Sequence, residues 1–215
     1  MCGAPVIVKY QIRHTTVYRY AEPLRHSVHE LRLTPRSGTL QQVDGWQIHA
    51  PGNLTRATDG FGNVVHHFTL GARTDDVTID ARGIVEAFPA AAPGSRLFTD
   101  APGEGRYRVS PLYFLSTTPL TSAPADMTAF AQQHGLVPGD AESALRLAQA
   151  IAQRVRYKSN TTHVGTTAAE AFGLGTGVCQ DQAQVMVACC RALGVPARYV
   201  SGYFPAVGEE ELASH

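Results

Sequence analysis

The sequence predicts an α+β fold, in which an N-terminal antiparallel β-sandwich-like domain precedes a domain rich in helices. Two differences in pattern along the chain support this prediction. Across residues 6–87, apolar residues alternate with other residues at period two in short stretches, as in strands with one buried face. Beyond residue 124, apolar residues recur at i, i+3 and i+4, the spacing of an amphipathic helix.

The predicted strands of residues 6–87 are short and follow one another closely. Their alternating residues are Val6, Val8, Tyr10 and Ile12, then Leu31 and Leu33, Trp46 and Ile48, Val64, His66 and Phe68, and finally Val77, Ile79 and Ala81, with Ile84 and Val85. Phe61-Gly62-Asn63 has the composition of a turn. Short strands separated by turns are typical of a sandwich or barrel-like β domain.

Residues 88–123 are predicted to connect the two domains, because proline and glycine interrupt them repeatedly. Leu112 to Leu115 are expected to pack locally. Residues 124–215 form the second predicted domain. We expect its helices to run from Pro124 to near Gly135, from a cap at Asp140, over 167–172, and over about 181–193, with extended segments at 157–162 and 197–204.

Two of these helices have informative apolar residues. In the helix capped by Asp140, the expected buried face comprises Ala144, Leu145, Ala148, Ile151, Ala152 and Val155. The helix over 181–193 is apolar nearly all round, and Gly194 and Pro196 follow it as stop signals. We therefore expect it to be a buried central helix.

Composition excludes several classes of function. Lys plus Arg number 18 and Asp plus Glu number 18, so the chain lacks the basic footprint of a nucleic-acid binder. No apolar stretch approaches the ~20 residues of a membrane-spanning helix, and the N-terminus lacks the features of a signal peptide. We therefore predict a cytoplasmic protein with neither nucleic-acid nor membrane partners. The sequence does not predict its oligomeric state.

The four cysteines are Cys2, Cys179, Cys189 and Cys190. Adjacent Cys189 and Cys190 do not readily bridge each other, and no C-x-x-C pair is present, which argues against a disulfide framework and a zinc site. We expect Cys189 and Cys190 to fill the core. Four histidines, His26, His29, His66 and His67, are a candidate metal cluster, because imidazole is a common metal ligand. Neighbouring His66 and His67 would point to opposite faces of a strand, so we predict no metal and no cofactor.

Cys179 has the setting of an activated thiol. A glycine-rich run, Gly173-Leu174-Gly175-Thr176-Gly177, precedes it, and a helix follows. At a helix N-terminus, free amide groups and the helix dipole favour the reactive thiolate, and the same amides could bind an oxyanion. For Gln180 and Asp181, helix capping and a role in the site are both open. A cysteine nucleophile needs a histidine base, and spacing does not choose among the nine histidines.

Two motifs around Cys179 resemble the catalytic core of bacterial transglutaminase-like proteins. They are Gly177-Val178-Cys179-Gln180-Asp181 and the segment 190–203, which contains Leu193-Gly194-Val195-Pro196-Ala197-Arg198. The segments 18–20, 25–35 and 59–68 resemble the β region found in front of this core. The resemblance implies a papain-like transglutaminase core, with helices packed on an antiparallel sheet, after the N-terminal β domain.

The same resemblance implies the rest of the site. In Ala213-Ser214-His215, His215 matches the family's general base, and the chain ends before the aspartate that orients it. The chain is thus interpreted as a C-terminally truncated form with low or no activity. His163 precedes the catalytic loop, and we expect it to be exposed rather than to line a cleft.

Two functions are consistent with this sequence. In the first, Cys179 attacks an amide or isopeptide carbonyl of a protein or peptide substrate, and either water or an amine completes the reaction. In the second, the protein is a non-catalytic interaction module built on a truncated or degenerate core. The absence of an acidic cluster argues against calcium dependence.

Overall fold

The computed structural model describes residues 7–38, 40–71, 73–88, 109–205 and 212–214. Antiparallel sheets come first and helices follow, which confirms the predicted α+β fold class. The chain divides into two compact units between Val109 and Ser110. This division lies within residues 88–123, the predicted connecting segment.

In its described residues, the first unit contains six strands in two antiparallel sheets. In chain order they are β1 (Val8–Leu24), β2 (Ser27–Leu31), β3 (Gln41–His49), β4 (Thr55–Thr58), β5 (Val64–Leu70) and β6 (Thr74–Ala87). One sheet has the order β1-β6-β3 and the other β2-β5-β4. Both sheets contribute to a common core of Leu31, Phe68, Val77 and Ile79, which confirms the sandwich-like arrangement.

Two details of the first unit differ from the sequence prediction. Strand β4 was not predicted, because all four of its residues are exposed and show no alternation. In β5, the expected buried face was Val64, His66 and Phe68. The buried residues are instead Val65 and Phe68, which lie on opposite faces of the strand, so both faces of β5 are covered.

The part of the second unit that the structure describes is built around four α-helices. They are α1 (Ala125–Gln133), α2 (Ala141–Arg154), α3 (Ala168–Leu174) and α4 (Cys179–Ala192). Two short 3-10 helices, Pro111–Leu115 and Pro119–Thr121, precede them. The first of these exposes Leu112 and Tyr113 and half-buries Phe114 and Leu115.

The strands of the second unit form two short pairs. Strands β7 (Arg156–Tyr157) and β8 (Thr176–Gly177) pair in parallel, and β9 (Tyr203–Pro205) pairs with β10 (Leu212–Ser214). The segment 157–162 is therefore not extended throughout, since a turn with Asn160 at φ +61° follows β7. Likewise, only the end of the predicted strand over 197–204 is a strand.

Helix α4 packs against α1, α2 and α3, which confirms the prediction of a buried central helix. The core around it contains Met127, Ala131, Leu147, Ile151, Val155, Ala168, Ala171, Phe172, Val185, Ala188 and Cys189. The buried face of α2 agrees in part with the expected one. Ile151 and Val155 are buried as predicted, but Ser143 and Leu147 are buried as well and Leu145 is 59% exposed.

Side-chain caps fix the starts of two helices. Asp140 accepts hydrogen bonds from the amides of Glu142 and Ser143, which confirms the predicted cap of α2. At α3, Thr167 and Glu170 form a reciprocal capping box. None of the helices within the described residues is both long and apolar enough to cross a membrane.

Candidate active site

Cys179 is the first residue of α4, two residues earlier than the predicted start of this helix. Val178 precedes it in an extended conformation, and its carbonyl oxygen accepts the amides of Asp181 at 3.0 Å and Gln182 at 3.2 Å. The amides of Cys179 and Gln180 come earlier in the first turn, where a helix supplies no acceptor of its own. The thiol and free amide donors therefore share one end of α4.

The parallel pair β7–β8 fixes the chain just before the nucleophile. Tyr157 lies opposite Gly177, and the Lys158 amide donates to the Gly177 carbonyl oxygen at 2.8 Å. From inside α4, Nε2 of Gln182 donates to the carbonyl oxygen of Val155 at 2.7 Å. The turn into α4 is thus tied to the end of α2 and to β7.

Asp181 is buried, with 3% of its surface exposed, two residues after Cys179. Its Oδ2 accepts hydrogen bonds from the Val178 amide at 2.7 Å and from the Thr162 hydroxyl at 2.6 Å. The carboxylate therefore caps α4 and also holds the loop that contains Thr162. Sequence reasoning left the role of Asp181 open and missed Thr162, because no local pattern connects residues that lie 19 positions apart.

The described cysteines differ sharply in exposure. Cys179 is half-buried, whereas Cys189 and Cys190 are buried in α4, and none of the three forms a disulfide. Burial raises the pKa of the Cys189 thiol to about 12, with a smaller contribution from neighbouring Cys190. Burial also raises the pKa of Cys190. Both thiols stay protonated at neutral pH, so their predicted role as core residues is confirmed.

Tyr199 is a residue near the thiol that sequence reasoning did not single out. Burial raises the pKa of its phenol, and the electrostatic influence of Cys179 raises it further. The side chain nevertheless remains 41% exposed. The phenol of this partly exposed residue is therefore within electrostatic range of the thiol.

His215 and His163, the two histidines discussed for the site, differ in what the structure describes of them. His215, the predicted base, lies outside the residues that the structure describes. His163 is exposed, as expected, and its Nδ1 accepts the Gly165 amide at 3.1 Å. Its own amide donates to the Thr166 hydroxyl at 3.0 Å, so His163 shapes the loop before α3.

Three of the histidines in the first unit have partners or environments unlike those of a shared metal site. His29 stacks on Phe68 with ring centroids 4.4 Å apart, and His67 pairs with Glu30 at 2.9 Å. Burial, followed by the charge of Arg56, lowers the pKa of His66. Throughout the described ranges, no group of three or more His, Cys, Asp or Glu residues has the arrangement of a metal site.

Two segments of the chain match models of known protein families. Residues 10–86 match the bacterial transglutaminase-like N-terminal region. Residues 128–213 match the transglutaminase-like superfamily, and this match includes α4 and Cys179. The two matches occur in the same order as the two units of the structure.

Several known proteins are similar over most of the chain. An uncharacterized protein of Mycobacterium tuberculosis (strain H37Rv) is 28% identical over 220 residues, which cover 95% of this chain and 69% of that protein. An uncharacterized protein of Mycobacterium leprae is 29% identical over 199 residues, which cover 91% and 71%.

A solved structure supports the fold assignment. The crystal structure named "Putative Cysteine Protease from Cytophaga hutchinsonii" superposes with a TM-score of 0.66 at 18% identity, over 92% of this chain and 70% of that one. At this identity the similarity concerns the fold. The family matches themselves place residues 128–213 in the transglutaminase-like superfamily and residues 10–86 in the bacterial transglutaminase-like N-terminal region.

Proposed function

We propose that the protein is a thiol-dependent enzyme in which Cys179 attacks an amide or isopeptide carbonyl of a protein or peptide. One observation carries this proposal: Cys179 is half-buried at the first position of α4, whereas Cys189 and Cys190 are buried within the helix. A nucleophile must reach its substrate, and the free amides of a helix start can bind the oxyanion that forms.

The proposed reaction has two steps. The Cys179 sulfur bonds to the carbonyl carbon, the carbon–nitrogen bond breaks, and the leaving amine takes up a proton, which yields a thioester. Water or a second amine then attacks the thioester, giving hydrolysis or acyl transfer, and the thiol regains its proton. We propose His215 as the group that carries these protons.

Acylation by 4-nitrophenyl acetate tests the first step, because release of 4-nitrophenolate reports formation of the thioester and no natural substrate has to be known. The full chain with Cys2→Ser serves as the reference. This substitution removes the one cysteine that lies outside the described residues. We expect mass spectrometry of peptides to place one acetyl group on Cys179. Cys179→Ser in the same background should lower the acylation rate by about a thousandfold.

Alkylation by iodoacetamide supplies the control for accessibility. In the folded reference, Cys179 should be alkylated while Cys189 and Cys190 react only after urea is added. A Cys179 that is alkylated but never acylated would overturn the enzymatic proposal. That result would instead favour the non-catalytic interaction module.

A further inference from the structure

We propose that Asp181 is a positioning residue for Cys179 and acts through a hydrogen-bonded chain from Thr162 to Asp181 to Val178. This inference rests on the proposed function of Cys179. Both hydrogen bonds end on the same carboxylate oxygen, at 2.6 Å from the Thr162 hydroxyl and 2.7 Å from the Val178 amide. Charge-assisted bonds of this length are among the stronger ones in proteins.

The bond to Val178 acts directly on the backbone that carries the nucleophile. The Val178 amide belongs to the peptide plane just before the Val178–Cys179 unit. By holding this peptide plane, Asp181 fixes the direction in which the chain enters α4. It thereby fixes the position from which the Cys179 side chain projects. The Asp181 amide also returns to the Val178 carbonyl at 3.0 Å, so this residue holds both polar groups of Val178.

The bond to Thr162 connects a loop that is distant in sequence to the same hydrogen-bonded chain. The loop that follows β7 also donates its Lys158 amide to the Gly177 carbonyl at 2.8 Å. Two hydrogen bonds thus join this loop to the turn before Cys179, one to the Gly177 backbone and one to the Asp181 side chain. The loop and the nucleophile are expected to move together.

Gly177 leaves the space that this carboxylate occupies. A Cβ atom built at Gly177 would lie 2.6 Å from Asp181 Oδ2 and 2.8 Å from Asp181 Cβ. The backbone of Gly177 is not in the left-handed region, so the need for glycine is one of space. Gly177 and Asp181 therefore pack against each other on either side of Cys179, so the segment 177–181 depends on both residues.

In the part of the chain that the structure describes, no ion pair joins the Asp181 carboxylate to a cation. Burying such a charge is costly unless hydrogen bonds satisfy it. The Val178 amide, the Thr162 hydroxyl and the positive end of α4 supply that compensation. An asparagine at position 181 would keep an acceptor oxygen in place without the charge, which makes Asp181→Asn the conservative substitution.

The test measures the rate of Cys179 acylation by 4-nitrophenyl acetate per folded molecule, in the Cys2→Ser background. We expect Asp181→Ala to lower this rate by about tenfold or more, because small displacements of a nucleophile have large effects on rate. Asp181→Asn should restore it to within about threefold, since it keeps the acceptor. Thr162→Val should give an intermediate loss, with no further loss when combined with Asp181→Ala.

A matched control separates positioning from stability. Asp140 caps α2 in the same unit with bonds of 3.1 Å to two amides, so Asp140→Ala removes a comparable cap away from the site. This variant should unfold at lower urea yet acylate within about twofold of the reference. If Asp181→Ala does not fold, the comparison of Thr162→Val with Asp181→Asn carries the test.

The possible failures are distinguishable. A folded Asp181→Ala that acylates as fast as an active reference overturns the positioning role alone. An equal loss in Asp181→Asn and Asp181→Ala would also contradict it, because the acceptor would then not matter. A reference protein that forms no thioester overturns the proposed function and this inference with it.

Discussion

Arg191 donates from Nε and Nη2 to the carbonyl oxygen of Ala197, at 3.0 Å and 2.8 Å. This fork closes the turn by which the chain leaves α4, where Gly194 adopts φ +73°. A third bond runs from Nη1 to the Thr121 hydroxyl at 2.9 Å. Partial burial lowers the pKa of Arg191, and the three bonds compensate its partly buried charge. One side chain therefore connects α4, the turn after it and the short helix before α1.

Arg191→Lys should destabilise the second unit, because an ammonium group does not reproduce the planar fork. We expect a loss of about 1–3 kcal/mol in the free energy of unfolding. Urea unfolding followed by circular dichroism measures it. Trp46, the single tryptophan, reports on the first unit, so its fluorescence transition should stay unchanged.

Arg146→Lys is the control for this prediction. Arg146 is 57% exposed, and its ion pairs with Asp140 and Glu142 are long, at 3.9 Å. Exposed pairs of this kind contribute little to stability. Equal effects of the two substitutions would contradict the structural role assigned to Arg191.

Asp59 should stabilise the first unit at neutral pH and make its stability sensitive to acid. Burial raises its pKa, but hydrogen bonds from the side chain and backbone of Asn63, from Arg32 and from the Phe61 amide prevail and lower it from 3.8 to about 2. A group with a lowered folded pKa contributes stability above its unfolded pKa and loses it as the pH falls towards the folded value. The contribution of Asp59 is therefore complete above about pH 4.

Asp59→Asn should cost roughly 1–2 kcal/mol of unfolding free energy near pH 6. The difference from the unchanged protein should shrink between about pH 4 and pH 2. Trp46 fluorescence in urea measures both values. The exposed Asp75→Asn serves as the matched control, and a pH-independent effect at Asp59 would refute the prediction.

Cys189 should make the second unit sensitive to alkali. Its thiol pKa is raised from 9.0 to about 12, mainly by burial, so the folded state holds this proton more tightly than the unfolded state. The resulting stability is present below pH 9 and is lost as the pH rises towards 12. The stability difference between the unchanged protein and Cys189→Ala should therefore narrow over this range.

Urea unfolding at several pH values from 8 upward, followed by circular dichroism, checks this expectation about Cys189. Ser143→Ala is the control, because Ser143 is also fully buried in this unit but does not titrate in this range. Its stability difference should stay constant with pH. Parallel curves for both variants would count against the raised pKa.

Gly83→Ala should disturb the sheet β1-β6-β3. An added Cβ at Gly83 would lie 2.6 Å from Cε3 of Trp46 and 2.8 Å from its Cα, so β3 would have to shift. A register shift already occurs between Asp44 and Gln47, with Gly45 at φ +58°. We expect a loss of about 1–3 kcal/mol and a shifted Trp46 emission maximum.

Gly71→Ala is the matched control, since no atom lies within 4 Å of a Cβ added there. It should leave the fluorescence spectrum and the urea midpoint of the first unit nearly unchanged. An equally mild Gly83→Ala would show that the contact with Trp46 is easily relieved.

The sequence by itself determined that a β region precedes a helical region, and it determined several ends of the elements. The turn at Phe61-Gly62-Asn63 and the cap at Asp140 lie where they were predicted. These features depend on residues within four positions of each other, so local conformational preferences are enough to specify them. The position of Cys179 next to a helix start is local in the same sense, although α4 begins two residues earlier than expected.

Only the tertiary structure decided the limits of the buried face of α2 and what surrounds Cys179. Leu145 fits the apolar spacing of α2 but stays 59% exposed, whereas Leu147 lies in the core with residues of α4. The bond from Thr162 to Asp181 and the electrostatic influence of Cys179 on Tyr199 join residues about 20 positions apart. Such contacts arise only when the folded chain brings distant segments together, and a period of two or 3.6 residues carries no information about them.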